Sequence, residues 1–223
     1  MKISDVKKSF EKFSLYIEKL EIPEGRIYGI IGPNGCGKTT AMKLMAGVAR
    51  PDSGLIDYEG LTPRDITMAL RKPYLLHDTV IRNLVYPLKI RGVKPDPDVV
   101  EHFLEITGLQ NYRDEYALGL SGGEQQKLAL ARALIFSPKM IFIDEAFSNM
   151  DIESVAFFEN YILDIQKTKQ MTWVIISHQL SNIKHLCEYV FFMSKGEVKA
   201  SGPTETVLSS PENAELRQYL QYV

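Results

Sequence analysis

The chain has 223 residues, 45% hydrophobic and 24% charged, with a formal net charge of −2 and a pI near 6.1. That balance supports one sizeable buried core with a small attached subdomain and gives no reason to expect a nucleic-acid partner. No apolar stretch approaches the roughly 20 residues that span a bilayer, the first residues do not read as a signal segment, and Cys36 and Cys187 resemble neither a disulfide framework nor a metal site, which points to a reducing compartment.

Along the chain, residues 1–60 carry short alternating or apolar runs (Leu15 and Ile17, Leu20 and Ile22, Ile27–Ile31, 55–58). Turn signals at Pro23-Glu24-Gly25 and Pro51-Asp52-Ser53-Gly54 separate them, predicting an antiparallel β region. A helix is expected from near Lys38, with Ala41, Leu44, Met45 and Val48 on its packed face. From about 76 to 133 the pattern is helical, broken by VKPDPD (93–98), and Asp98 is expected to cap a helix carrying Val99, Val100, Phe103, Leu104 and Ile106, with Gly108 just after it. Apolar strands at 140–143 and 173–177 flank a helix with Val155, Phe158, Ile162 and Ile165 on one face, a unit that implies a right-handed parallel crossover. Tyr189–Ser194 and 196–200 read as a final hairpin, and no internal repeat or low-complexity segment is present.

Three segments carry chemistry. GPNGCGKTT (32–40) matches GxxxxGK(S/T) from Gly32 to Thr39 and directly follows an apolar strand, the context in which glycine-rich backbone N–H groups and a helix N-terminus cradle polyphosphate. Lys38 is expected to reach the β- and γ-phosphates as a point charge, and the Thr39 hydroxyl to give Mg²⁺ one of the oxygen ligands it favours. In MIFIDEAFSNMD (140–151) four apolar residues suit a strand buried on both faces, with two acids at its carboxyl end. Asp144 suits Mg²⁺, and Glu145 suits polarising an attacking water; in isolation the two would read as solvated loop acids. LSGGEQQ (120–126) has the spacing of a capping box, Ser121 with Glu124, ahead of the stripe Leu128, Ala131, Leu134 and Ile135. A well-capped core helix would account for it, but Gly122 and Gly123 also leave its first turn bare enough for a phosphate to approach.

LSGGEQQKLALARAL (120–134) resembles the signature sequence of ATP-binding-cassette (ABC) proteins, and from end to end the chain resembles one nucleotide-binding domain of that superfamily. The resemblance implies an α/β fold, a P-loop NTPase core with a mixed or parallel sheet, an N-terminal antiparallel β region and an inserted α-helical subdomain. The chain would be a single domain, its core at about 1–75 and 134–223 and its helical subdomain at about 76–133. The resemblance also implies ATP and Mg²⁺ bound at Gly32, Pro33, Asn34, Gly35, Cys36, Gly37, Lys38, Thr39 and Thr40, with Thr39 and Asp144 toward the metal. Ser121, Gly122, Gly123 and Glu124 of a second copy would then meet the γ-phosphate in trans, so that two ATP molecules join a head-to-tail dimer. Glu145 matches the family's catalytic base, His178 in TWVIISH its switch histidine, and SNMD (148–151) the loop ending in Asp151 that crosses the dimer interface. Alignment of KKSFEKF with the family's adenine-stacking ring favours Phe10, with Phe13 as second choice.

Two departures stand out. Arg71, in ITMALRKPYLLHDTVIRNL (66–84), stands where the family's coupling loop has a glutamine that senses Mg²⁺ and water, and a guanidinium cannot ligate a metal as an amide oxygen does. Arg71 either swings away or contacts phosphate, and slow turnover or altered coupling is expected. Ala146 replaces the usual proline after the acid pair, which loosens that turn slightly. The resemblance implies the ATPase subunit of a membrane transporter, cytoplasmic and peripheral on the inner membrane face, working with permease subunits, a solute-binding protein and a second ATPase copy. Residues 71–92 have the flavour of importers of small oxyanions such as tungstate or molybdate, and Tyr74, Leu75, Leu76, Leu84, Tyr86 and Leu88 are expected to be either the permease contact or else a solvated amphipathic face or ordinary core. The alternatives are a soluble ABC ATPase, for example in iron–sulfur assembly, and a slow regulatory ATPase.

Overall fold

A computed structural model describes residues 1–148 and 150–222. In chain order the strands are β1 (Lys2–Phe10), β2 (Phe13–Glu21), β3 (Ile27–Ile31), β4 (Ser53–Asp57), β5 (Ile66–Ala69), β6 (Met140–Asp144), β7 (Thr172–Ile176), β8 (Tyr189–Ser194) and β9 (Glu197–Pro203). They form one sheet in the order β4-β1-β2-β9-β8-β3-β7-β6-β5. Pairing is antiparallel within β4-β1-β2 and between β8 and β9, and parallel from β8 through β3, β7 and β6 to β5, which gives the expected mixed sheet with an antiparallel N-terminal part.

The central parallel strands are apolar at nearly every position because both of their faces are covered. Helices α1 (Lys38–Met45), α2 (Val80–Arg91), α3 (Pro97–Thr107), α4 (Gly122–Leu134), α5 (Ile152–Lys169), α6 (Leu180–Leu186), α7 (Thr204–Ser209) and α8 (Ala214–Leu220) supply most of that cover. Alternation along each strand sorts the side chains into two cores. Ile141, Ile143, Trp173 and Ile175 pack with Leu128, Phe158 and Ile162 in one of them. Phe142, Val174 and Ile176 pack with Ala41 and Leu44 of α1 and Leu15 and Ile17 of β2 in the other.

Several local expectations need correction. Val48 is 64% exposed, because α1 ends at Met45 and Gly47 turns the chain away at φ 70°. Asp96, not Asp98, caps α3: its carboxylate accepts from the Asp98 N–H, and Pro97 takes the first helical position, where its missing N–H costs nothing. Leu75, Leu84 and Leu88 are core, whereas Tyr74, 85% exposed, and Tyr86 face outward. Strand β5 lies in a segment whose sequence reads as a coupling loop.

Candidate functional site

Four neighbouring parallel strands, β3, β7, β6 and β5, deliver their carboxyl ends to one end of the sheet. Loops leaving such ends build ligand sites in α/β folds. Here they place the glycine-rich loop after β3, His178 after β7, Asp144 and Glu145 at the end of β6, and Arg71 after β5.

The glycine-rich loop has a backbone that few other sequences allow. Gly32 lies at φ 146°, and a Cβ there would sit 2.1 Å from the Met193 carbonyl oxygen. Gly37, at φ 105°, has the Phe13 ring so close that a Cβ would meet it at 2.7 Å. Lys38 is buried, and its ammonium donates to the carbonyls of Gly32 (2.7 Å) and Pro33 (3.0 Å), which leaves one of its three N–H donors for a ligand. Cys36 is buried in the same loop, and burial pushes its thiol pKa up. Phe10 stacks on Phe13 with ring centroids 6.2 Å apart, so Phe13 touches the loop while Phe10, 52% exposed, offers its outer side to solvent.

Thr39 Oγ1 donates to Asp144 Oδ1 at 3.0 Å, which joins the start of α1 to the end of β6. Burial raises the Asp144 pKa; the Thr39 hydrogen bond opposes the shift and the neighbouring Glu145 charge adds to it. A buried carboxylate beside a hydroxyl oxygen is a hard-oxygen donor pair that a divalent cation completes, and one acid suffices for Mg²⁺, which keeps waters and takes phosphate oxygens. The residues present therefore fit Mg²⁺.

Glu145 stands at φ 52°, a left-handed conformation rare for a side chain of this kind, held by its N–H to Ile176 O (3.0 Å) and by Ser148 N–H to its own carbonyl (3.1 Å). Those two ties fix the turn that leads into Ala146. Both carboxylate oxygens face basic side chains: Oε1 lies 2.5 Å from His178 Nε2, and Oε2 lies 3.0 Å from Arg71. Oε2 receives no aligned hydrogen bond, so the Arg71 contact is an ion pair rather than a directed bond. A cavity of about 130 Å³ beside Glu145 and His178 has room for water. A larger cleft of about 580 Å³ lies between α3 and α5, away from these residues, so volume alone does not mark the site.

Ser121, Gly122, Gly123 and Glu124 form the start of α4. The Ser121 hydroxyl accepts from the Glu124 N–H (3.4 Å) and donates to Glu124 Oε2 (2.7 Å), while Glu124 also accepts from the Ser121 N–H (2.8 Å). This is the expected capping box. Gly122 is different: a Cβ there would meet nothing within 4 Å, and its φ is unexceptional. The fold itself gives no reason for glycine at that position.

Asp151 caps α5, accepting from Ser154 N–H (2.8 Å) and Ser154 Oγ–H (2.7 Å), with Lys127 of α4 3.7 Å away. Asn149 of the same SNMD motif lies outside the described residues. The Ser154 bonds hold the Asp151 carboxyl at about 2, below its ordinary 3.8. A lowered folded pKa means that the stabilisation is complete above the ordinary value and is lost as pH falls through the folded one. Asp151→Ala is expected to melt below the parent near neutral pH, with the gap closing as pH falls toward about 2. Melting curves across that range check it; a gap independent of pH rules out the ionised cap as the cause.

The family model described as ABC transporter matches residues 17–148, more than half of the chain. The chain belongs to the ABC transporter family. Members of this family hydrolyse ATP to power transport, and this chain is one of its ATP-binding subunits. It is 36% identical over 203 residues to the tungstate uptake system ATP-binding protein TupC of Peptoclostridium acidaminophilum, covering 88% of this chain and 95% of that one. It is 33% identical over 218 residues to the methionine import ATP-binding protein MetN 2 of Paraburkholderia xenovorans (strain LB400), covering 91% of this chain and 56% of that longer protein. In fold it matches the ATP-binding cassette MJ0796, solved as a dimer bound to ADP and Pi, with a TM-score of 0.80 at 24% identity over 91% of this chain and 98% of that one. No helix among the described residues is long and apolar enough to cross a membrane.

Two features of this ABC subunit escape sequence reasoning. One is the ion pair that Arg71 makes with Glu145, which no local pattern encodes because the partners come from separate strands. The other is Gln126, fully buried, whose side-chain amide donates to Leu70 O at 3.0 Å and so ties α4 to the segment carrying Arg71. Within the polar run 124–127 nothing local distinguishes it from its partly exposed neighbours.

Proposed function

We propose that this chain is the ATPase subunit of an importer of small oxyanions, with tungstate or molybdate as cargo, and that it works as a head-to-tail dimer on permease subunits supplied by a solute-binding protein. The observation that carries the ATPase chemistry is the convergence of Lys38, the Thr39–Asp144 pair and Glu145 at one end of the sheet. In this reading Lys38 and the backbone of 32–40 bind the triphosphate of ATP, and Phe10, backed by Phe13, stacks on adenine. Thr39 and Asp144 hold Mg²⁺, which when bound neutralises phosphate charge. Glu145 accepts a proton from the attacking water, and His178 orients that carboxylate and meets the γ-phosphate. The bare Gly122 supports a partner's phosphate approaching Ser121 and Gly123 from outside, with Asp151 close to the same junction.

Residues of about 76–133 act as the helical arm that meets the permease, and the subunit then sits on the inner face of the membrane. A groove of about 230 Å³ between β5, α2 and α4, lined by Met68, Tyr74, Ile90, Arg132 and Phe136, offers the surface. TupC, similar along nearly its whole length, supports the cargo. The test is ATPase activity in vesicles reconstituted with the co-purifying permease and solute-binding protein. Tungstate or molybdate is expected to stimulate turnover and methionine to leave it unchanged. Stimulation by methionine alone overturns the cargo, and failure to co-purify with any membrane protein overturns the transporter assignment in favour of a soluble ABC ATPase.

A further inference from the structure

Both oxygens of Glu145 are engaged by side chains of this same chain. The carboxylate is 10% exposed, and its oxygens face His178 at 2.5 Å and Arg71 at 3.0 Å. A general base needs a lone pair aimed at the water it deprotonates, and because Oε2 is shut off from solvent with Arg71 beside it, a water reaching that oxygen must displace a neighbour. His178 belongs to the expected machinery. Arg71 holds the coupling-loop position, but a permanently charged guanidinium can neither accept a proton nor ligate a metal there.

We infer that Arg71 is a lock on Glu145, a positioning residue that holds the carboxylate inactive until the closed, ATP-loaded dimer draws the guanidinium away. The lock rests on the proposed assignment of Glu145 as base. Arg71 is 63% exposed, so it has solvent to move into, and among the described residues no other acid pairs with its charge. Its release has a handle: the residue before it is fixed through Leu70 O to Gln126 of α4, the helix capped by Ser121. Movement of α4 when its N-terminus engages a second copy therefore pulls on the lock. ATP can enter the phosphate loop while the lock is closed, because the hydrogen bonds of Lys38 and Thr39 do not involve Arg71. The penalty consequently falls on the chemical step and not on ATP binding.

The test is steady-state ATPase of the purified chain and its variants. Arg71→Gln is expected to raise kcat about fivefold with KM for ATP nearly unchanged, the size a part-exposed charged contact supports. Arg71→Lys keeps a cation on a less forked head, and a smaller rise, about twofold, is expected. In a Glu145→Gln background the Arg71→Gln gain is expected to vanish. An unchanged or reduced kcat in Arg71→Gln, or a gain that persists without Glu145, overturns the lock. If Glu145→Gln alone leaves turnover intact, the assignment of the base fails first and the lock falls with it; if that variant is inactive but Arg71→Gln is not faster, only the lock fails. Arg71 is exposed, so these variants should melt with the parent, and circular dichroism verifies it.

Discussion

Glu145→Gln is expected to lower steady-state ATP turnover on the order of 10²–10⁴-fold while leaving ATP binding intact. The amide has the shape of the carboxylate, so the left-handed turn at φ 52° and the backbone ties to Ile176 and Ser148 should persist. What is lost is the capacity to take a proton from water. Binding should survive because the contacts proposed for phosphate come from Lys38 and the glycine-rich backbone, not from Glu145. With hydrolysis blocked, the ATP-loaded dimer should accumulate, and light scattering or size-exclusion chromatography with and without ATP reads it directly. A variant that turns over as fast as the parent removes Glu145 from the chemistry.

Ser121→Glu is expected to abolish ATP-induced pairing and, with it, turnover by roughly 10²-fold or more, since a like-charge juxtaposition across an interface costs several kcal/mol. The effect must be separated from loss of the helix cap. Ser121→Asn keeps a capping side chain without the charge and should fold and pair, so it isolates the electrostatic part. Mixing offers a sharper check. In a head-to-tail dimer, a Lys38→Ala subunit paired with a Ser121→Glu subunit carries both lesions in one site and none in the other, so two inactive proteins should recover ATP-dependent pairing when combined. Ser121→Glu protein that still pairs on adding ATP would show that α4 does not meet a partner's nucleotide.

The glycine-rich loop is legible in sequence because its chemistry is local: strand, turn and helix follow one another, and the φ values of Gly32 and Gly37 need glycine. The acid pair is legible for the same reason, as it ends an apolar strand. Misreadings arise where two residues could satisfy one rule. Asp96 and Asp98 are both plausible caps, and the proline between them decides. The leucines at 75, 84 and 88 fit either a docking face or a core, and only packing against α4 resolves them. The Arg71–Glu145 pair and the Gln126 tether join distant parts of the chain, so no window of sequence displays them.

The thiol of Cys36 has a practical corollary. It lies in the loop proposed to grip the nucleotide, yet it is packed away and holds its proton more firmly than a free cysteine. Since the thiolate is the reactive form, Cys36 should react with a maleimide more slowly than a free cysteine does at the same pH.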